Sequence, residues 1–190
     1  MHSTVQYLTT VELEQRLPEV LESPRDGGLL EKIVVRPASD ERRTPSTVRL
    51  TVDGGVEGDR WVTDSYYRLP DGRSDPCCQV SLINARFLRQ IAGSEDAMCL
   101  AGDNLVVDLD LSAENLPAGT RLAIGASAVI EITDKPHTGC SSLARRYGDD
   151  VRQFMNNARG KSLHLRGRYA RVIAEGTIAV GDVVQKAAVS

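Results

Sequence analysis

The residues best suited to chemistry lie in one short run, residues 133–143, which contains the sequence Lys-Pro-His-Thr-Gly-Cys-Ser-Ser. An apolar strand pattern ends before this run, and a helical pattern begins at or beside Cys140. A cysteine in the first turn of a helix meets unbonded backbone N–H groups and the positive end of the helix dipole, and both stabilise its thiolate. Thiolate is the form that attacks sulfur and binds soft metals. The run therefore predicts Cys140 as a reactive centre.

Two neighbours of Cys140 bring further chemical options. Lys135 and His137 each add positive charge close to the thiol when protonated. His137 is either an acid or base that acts beside Cys140 or a turn residue in contact with water, and the sequence leaves both open. The remaining histidines, His2 and His164, have no partner signal and are interpreted as structural or exposed.

The other three cysteines are interpreted as small apolar side chains. Cys77, Cys78 and Cys99 stand in apolar, strand-like contexts, where a cysteine is usually inert. Their spacing contains no Cys-x-x-Cys pair, which argues against a structural zinc site. The sequence has no secretory signal pattern and no apolar stretch long enough for a bilayer. We therefore expect a cytoplasmic protein, not bound to a membrane, with reduced thiols.

Positive charge is concentrated in residues 140–172. This block holds eight Arg or Lys residues against two Asp residues, a charge of +6, and the rest of the chain carries −9 of a net −3. Such a block suits an anion: a phosphate, a phosphorylated cofactor or a nucleic acid. The alternative is a solvated basic surface. Aromatic residues make up only 4% of the chain, and no nucleic-acid motif is present, which argues against a nucleic-acid partner.

The elements that position this run follow from apolar periodicity and turn residues. Residues 1–28 are predicted to form a helical extension, with a capping box from Thr9 to Glu12 and with Pro18 dividing it into two short pieces. Residues 29–190 are predicted to form one domain of short strands between turns rich in Gly, Asp and Pro, which favours a barrel or sandwich over a βαβ sheet. The predicted strands are 32–35, 48–52, 80–83, 105–107, 128–132, 169–174 and 183–184.

Three helices are predicted to interrupt the strands. The first covers 85–92 and is capped by Asn84, the second runs from about Cys140 to Tyr147, and the third starts at Asp149 or Asp150. Residues 36–45 and 64–76 are predicted to be loops. The second loop is long enough to suggest a functional segment.

The order of segments from Ile33 to Val184 resembles small stand-alone MOSC proteins, which are related to the C-terminal domain of molybdenum-cofactor sulfurase. The resemblance spans about four fifths of the chain and is specific because six pieces occur in the same order. The pieces are Ile33–Pro37, Gly55–Trp61, Gly102–Val106, Leu116–Gly125, Pro136–Cys140 and Gly167–Val172, followed by Gly176, Gly181 and Asp182.

The resemblance implies a mainly β fold: a closed β-barrel of the pyruvate-kinase β-barrel type with a few peripheral α-helices. It also implies an essential cysteine at Cys140, which carries sulfur or coordinates the molybdenum of a pyranopterin cofactor. The chain lacks the pyridoxal-phosphate domain of the sulfurases, so we do not expect it to make its own persulfide. It also lacks the extra N-terminal barrel of the amidoxime-reducing relatives, so their activity does not transfer directly.

A pyranopterin phosphate is anionic, and four cationic residues lie in or beside the matching pieces. An Arg fork that binds phosphate through two hydrogen bonds suits one of them. The alternative for Arg171 is a buried ion pair with Asp103 or Asp182. The predicted cofactor-binding residues are Arg60, Lys135, Arg168 and Arg171.

Three functions remain open from the sequence. The first is a molybdenum-cofactor-binding redox enzyme in which Cys140 supplies a metal ligand, His137 assists and a separate protein donates electrons. The second is a sulfur carrier without a metal, in which Cys140 holds a persulfide received from a separate cysteine desulfurase. The third is a non-catalytic domain that binds anions or nucleic acid. A homodimer is compatible with all three.

Overall fold

The computed structural model describes residues 7–187, and a closed β-barrel lies at its centre. The strands are β1 Gly28–Ile33, β2 Thr47–Thr51, β3 Gly55–Val56, β4 Val80–Asn84, β5 Leu105–Asp108, β6 Arg121–Ile124, β7 Ala128–Ile132, β8 Arg168–Ala174, β9 Gly176–Ala179 and β10 Val183–Lys186. The α-helices are α1 Thr10–Leu21, α2 Ala85–Ala92, α3 Glu95–Met98, α4 Ser141–Tyr147, α5 Asp149–Asn156 and α6 Ala158–Ser162.

The barrel strands follow one another in the order β1-β10-β6-β7-β8-β4-β5. Neighbours are antiparallel except β4 and β5, which are parallel and are connected through α2 and α3. A separate small sheet has the order β3-β2-β9. The prediction of a mainly β protein with a closed barrel and a few peripheral helices is confirmed.

Alternating side chains fill the barrel. In β7, Ala128, Ile130 and Ile132 are buried, while Val129 and Glu131 between them are half-buried. This period of two places every second side chain in the interior, where branched aliphatic residues pack without voids. The interior is therefore filled mainly by Leu, Val and Ile.

A second apolar cluster lies between the barrel wall and the helices. Ile83 of β4 and Val106 of β5 contribute to it from the barrel, and α4 contributes Leu143 and Tyr147. Both α4 residues are almost fully buried, and the Tyr147 hydroxyl donates a 2.8 Å hydrogen bond to the carbonyl of Ala97. This packing fixes the helix whose first turn follows Cys140.

The N-terminal segment differs from its prediction in one respect. The capping box between Thr9 and Glu12 is confirmed, but Pro18 does not divide the helix, and α1 is continuous. A proline removes a single helical hydrogen bond, and here it lies in the last turn, while Leu13 and Leu17 bury the inner face of the helix. The boundary at residue 28 stays a prediction, and His2 lies outside the described residues.

Several strand boundaries were wrong. The first strand begins at Gly28 rather than at residue 32, and its pairing with β5 shifts register between Leu30 and Lys32. The short strands β3, β6 and β9 were not predicted, because two to four residues carry too little periodicity. The helix over 85–92, the helix starting at Asp149 and the irregular segments 36–45 and 64–76 are confirmed. In the described range, no helix is long and apolar enough to cross a membrane.

Candidate functional site

The segment that leads to Cys140 is extended and is held at both ends. At its start, the Thr133 hydroxyl donates a 2.6 Å hydrogen bond to the carbonyl of Cys77. At its end, the Asn156 side chain on α5 accepts from the N–H of Gly139 and donates to the carbonyl of Gly139, each at 3.0 Å. Because the residue before Cys140 is fixed in this way, the position of the thiol is set by the fold.

Cys140 occupies the N-cap position of α4 and is exposed. Partial burial raises the pKa of its thiol, but the backbone N–H groups of Leu143 and Ser142 and the charge of Arg166 outweigh that effect. The pKa of the thiol therefore lies below its ordinary value of 9.0. This is the electrostatic setting in which a cysteine reacts as thiolate.

The remaining cysteines have different surroundings. Cys78 is buried, and burial raises the pKa of its thiol to about 12. Burial also raises the pKa of the half-buried Cys77, and Cys99 donates its S–H to the carbonyl of Asp96 at 3.1 Å. Cys140 is thus the one cysteine of the four that is exposed.

We expect iodoacetamide to modify Cys140 first and at a lower pH than an ordinary thiol. Because its pKa is lowered, the rate should rise with pH and reach half of its plateau below pH 9.0. Mass spectrometry of trypsin fragments measures the rate at each cysteine. Cys99→Ser is the control and should leave the fast phase unchanged; a fast phase that survives in Cys140→Ser would contradict the assignment.

His137 is part of a buried polar group behind the segment. Its side chain is 8% exposed, and its ring stacks on Tyr169 with 4.2 Å between centroids. Its Nδ1 lies 3.7 Å from the Asp103 carboxylate, which is beyond hydrogen-bond distance, and has no partner among the described residues. Burial and the charges of Arg166 and Arg36 hold the pKa of His137 well below 6.5. His137 is therefore neutral at pH 7 and is not an exposed turn residue; its catalytic role stays a prediction.

Asp103 and Arg166 form the charged centre of that group. One guanidinium nitrogen of Arg166 contacts both carboxylate oxygens, at 2.6 and 2.8 Å, and Asp103 is 1% exposed. Burial raises the pKa of Asp103, and Arg166 acts against that rise. Because Arg166 cannot lose its charge, a protonated Asp103 would leave it unpaired, so the pair is ionised at neutral pH.

Four arginines gather around the turn before Asp103, and we call them the arginine face: Arg36, Arg42, Arg60 and Arg146. Arg36 and Arg146 each donate to a carbonyl of this turn, at Gly102 (3.0 Å) and Leu100 (2.6 Å). The guanidinium of Arg42 lies over Gly102, within 3.4–3.9 Å of where a Cβ would stand. The charges of the other three arginines, after burial, lower the pKa of Arg42, which shows how close they are.

Half of the arginine face is not neutralised. Arg36 forms a two-bond pair with Asp59 at 2.8 and 2.9 Å, and Arg60 pairs with Asp64 at 2.8 Å. Within residues 7–187, Arg42 and Arg146 have hydrogen bonds to carbonyls only, and no carboxylate lies within ion-pair distance of either. The Nε of Arg42 is buried and has no partner there. This face suits a bound anion.

A separate cavity of about 600 Å³ opens at one end of the barrel. It lies where β7 ends and β8 begins, and we call it the barrel-mouth cavity. It is lined by Thr133, which directly follows β7, by Arg168 at the start of β8 and by Pro117 in the loop before β6. Lys135, His137, Lys161, His164 and Arg166 also line it, whereas Cys140 does not.

The structure does not bring the four predicted cofactor-binding residues together. Arg60 belongs to the arginine face, whereas Lys135 and Arg168 line the barrel-mouth cavity. Lys135 pairs with Asp75 at 2.7 Å. Arg171 lies outside the barrel and pairs with Glu131 at 2.6 Å, rather than with Asp103 or Asp182. Sequence reasoning missed Arg36 and Arg42 as ligand candidates, although Arg36 lies in the matching piece Ile33–Pro37, and it included Arg146 only as part of the basic block 140–172.

The comparisons with known proteins decide the family. A family model for the MOSC domain matches residues 67–185, which is more than half of the chain. The chain belongs to the MOSC domain family. Two solved structures share the fold of this MOSC protein. The YuaD protein from Bacillus subtilis has a TM-score of 0.58 and 16% identity, with 86% of this chain and 97% of that chain covered.

The second is YiiM from Escherichia coli, with a TM-score of 0.53 and 18% identity over 85% of this chain and 71% of that one. Because sequence identity is below 20% in both comparisons, these similarities establish the fold of the MOSC protein and nothing further. No curated protein matches the chain significantly.

Proposed function

We propose that this MOSC protein binds a molybdenum pyranopterin cofactor and carries out redox or cofactor-related chemistry at Cys140. The observation that carries the proposal is the exposed Cys140 thiol, with its lowered pKa, at the start of a helix that also bears Arg146 of the arginine face. Six residues of α-helix span about 9 Å. A cofactor that reaches both residues has to extend at least that far, with its soft centre at Cys140 and its phosphate at the arginine face.

The residues present fit such a cofactor on two counts. Arg42 and Arg146 offer guanidinium donors without a carboxylate partner in the described chain, as a phosphate requires. Among residues 7–187, no three His, Cys, Asp or Glu side chains cluster as a metal site. A metal that brings its own dithiolene sulfurs needs one protein ligand rather than three, and a soft thiolate suits it.

Each group then has a distinct task. Bound cofactor supplies a metal centre that changes oxidation state. Cys140 would supply a thiolate ligand to that centre. Arg42 and Arg146 would bind and orient the phosphate of the cofactor. His137 assists as a neutral imidazole beside Cys140, while the Asp103–Arg166 pair fixes its surroundings. We propose that electrons come from a separate donor protein.

The second candidate is a sulfur carrier, and the exposure of Cys140 favours it. In that function the Cys140 thiolate attacks the outer sulfur of a persulfide on a cysteine desulfurase, and the desulfurase cysteine leaves as a thiolate. No metal is needed. A mass increase of one sulfur on Cys140 after incubation with desulfurase and cysteine, together with no bound pterin, would favour this candidate over the first.

Pterin retention tests the arginine face. The protein is expressed in a host that makes the cofactor, and the pterin released by oxidation is measured by fluorescence. We expect the double variant Arg42→Ala/Arg146→Ala to retain about tenfold less pterin than the wild type, because phosphate loses two charged donors. The matched control is Arg121→Ala/Arg171→Ala, which removes two exposed arginines that pair with Glu131. Equal retention in the two double variants would contradict the proposal.

A further inference from the structure

Arg168 is a buried cation with few polar contacts in the described part of the chain. Its side chain is on the interior face of β8, in line with the core residues Ala170 and Val172, and is 5% exposed. Its side chain makes one hydrogen bond, a long one of 3.4 Å to the carbonyl of Thr133. In the described part of the chain, no carboxylate lies within ion-pair distance of it. Because Arg168 lines the barrel-mouth cavity, the small area it exposes faces that cavity.

A buried guanidinium without an anionic partner lowers the stability of the folded protein. Buried charges in proteins are normally paired, and Arg retains its charge at all relevant pH values. Burial lowers the pKa of Arg168, and nothing nearby acts in the opposite direction. An anion in the cavity would supply the missing partner through the planar fork of the guanidinium.

Two further cationic residues that line the cavity, Arg166 and Lys161, also favour an anion. Arg166 also lines it, and the Nε of this buried arginine has no partner in the described chain. His164 also lines it, in the left-handed conformation (φ 48°) that closes the end of α6, where the N–H of Leu165 donates to the carbonyl of Gly160 at 3.0 Å. Lys161 stands at the rim, and Asp134 is the one acidic lining residue and is exposed.

Apolar side chains line the remainder of the cavity. Pro117, Ala118 and Met155 contribute to its wall, and its volume of about 600 Å³ exceeds what a bare inorganic ion fills. A ligand that matches both parts has one anionic group and an apolar body. Mouths of small β-barrels are common places for such ligands.

We propose that the barrel-mouth cavity is a second binding site, which takes a small organic anion whose carboxylate or phosphate is bound by the Arg168 guanidinium. The site adjoins the one proposed at Cys140 and shares its His137 and Arg166, but its ligand is held by Arg168. Cys140 does not line the cavity, and the arginine face lies elsewhere; the stacked rings of His137 and Tyr169 lie between, since His137 lines this cavity and Tyr169 lines the small pocket beside Arg36 and Arg60.

Titration calorimetry with benzoate, phenyl phosphate, inorganic phosphate and the neutral benzyl alcohol tests the site. We expect benzoate or phenyl phosphate to bind the wild type with a Kd below about 1 mM, and the tighter of the two identifies the anionic group. Arg168→Met should weaken that binding about tenfold or more, because it keeps the apolar volume and removes the charge. Arg171→Met, which removes an exposed arginine, should leave binding unchanged.

Thermal unfolding without ligand provides an independent readout. Because a buried charge without a partner is removed, Arg168→Met should raise Tm by about 3 °C or more, whereas a merely structural arginine would give a decrease. Arg168→Lys, which keeps the charge without the fork, should bind with intermediate affinity.

Three results would overturn the proposal. The first is that neither benzoate nor phenyl phosphate gives a heat of binding up to about 10 mM. The second is that Arg168→Met binds the anions as tightly as the wild type does, and the third is that benzyl alcohol binds as tightly as the anions. Cys140→Ser should bind the probes like the wild type. The outcome is therefore independent of the function proposed at Cys140.

Discussion

Replacing Asp103 by Asn is expected to lower the free energy of unfolding by about 3–5 kcal/mol, the range found when one partner of a buried ion pair is removed. Arg166 would keep its charge in a site where its side chain is 10% exposed, and would lose the negative charge of its partner; one of the two acceptor oxygens would become an NH2 donor that faces the guanidinium. For a domain of this size, the change corresponds to a fall in Tm of roughly 10 °C. Urea unfolding followed by circular dichroism measures the free energy directly.

Two further variants make the Asp103 result specific. The double variant Asp103→Asn/Arg166→Met removes both charges and should recover a large part of the lost stability. Glu114→Gln removes the carboxylate of an exposed ion pair with Arg25 and should produce no measurable change. An Asp103→Asn protein as stable as the wild type would mean that the carboxylate is not ionised in the fold.

Stability is also expected to fall as the pH drops below 6.5, before most carboxylates titrate. Burial, followed by the charges of Arg166 and Arg36, holds the pKa of His137 well below 6.5, and burial with the charge of Arg168 lowers the pKa of His164 to about 4. Below pH 6.5 the two histidines bind protons in the unfolded chain but stay neutral in the folded protein. The free energy of unfolding therefore rises with pH in this window. Each histidine adds a slope of up to about 1.4 kcal/mol per pH unit.

The histidine assignment has its own control. The groups that face His137 are Asp103, Arg166, Arg36, Tyr169 and His164. Asp103 and Arg166 are unchanged in the histidine variant, so a difference in slope between the variant and the wild type reports the histidines alone. We expect the double variant His137→Gln/His164→Asn to reduce the slope of unfolding free energy between pH 6.5 and 5 by about half or more. An unchanged slope would show that other groups control acid stability.

Local signals predicted the elements around the site well. The Asn84 cap, the helix starting at Asp149 and the position of Cys140 at the start of α4 follow from residues within a few positions of one another. Turn residues and strand length narrowed the fold to a barrel or a sandwich, and the resemblance to MOSC proteins favoured the closed barrel. Each of these depends on short-range patterns, which a sequence displays directly.

The polar pairings were not predictable in the same way. Asp103 and Arg166 are 63 positions apart, and the arginine face joins residues from the loop 36–45, from the turn after β3 and from α4. Side chains alternate along β8 between the inner and the outer face of the barrel wall. Arg168 therefore faces the barrel interior, and Arg171, three positions later, faces outward to Glu131. A register shift of one residue would exchange them, and the register is set by strand pairing rather than by local sequence.

X-ray absorption at the molybdenum edge tests the central claim most directly. Protein purified from a host that makes the cofactor is compared with Cys140→Ser, and Cys99→Ser serves as the control for loss of a cysteine away from the site. We predict near-stoichiometric molybdenum in the wild type and in Cys99→Ser. In Cys140→Ser, the metal should be lost or should retain one sulfur ligand fewer. Equal molybdenum content with the same number of sulfur ligands in Cys140→Ser would contradict the assignment of Cys140 as the reactive centre.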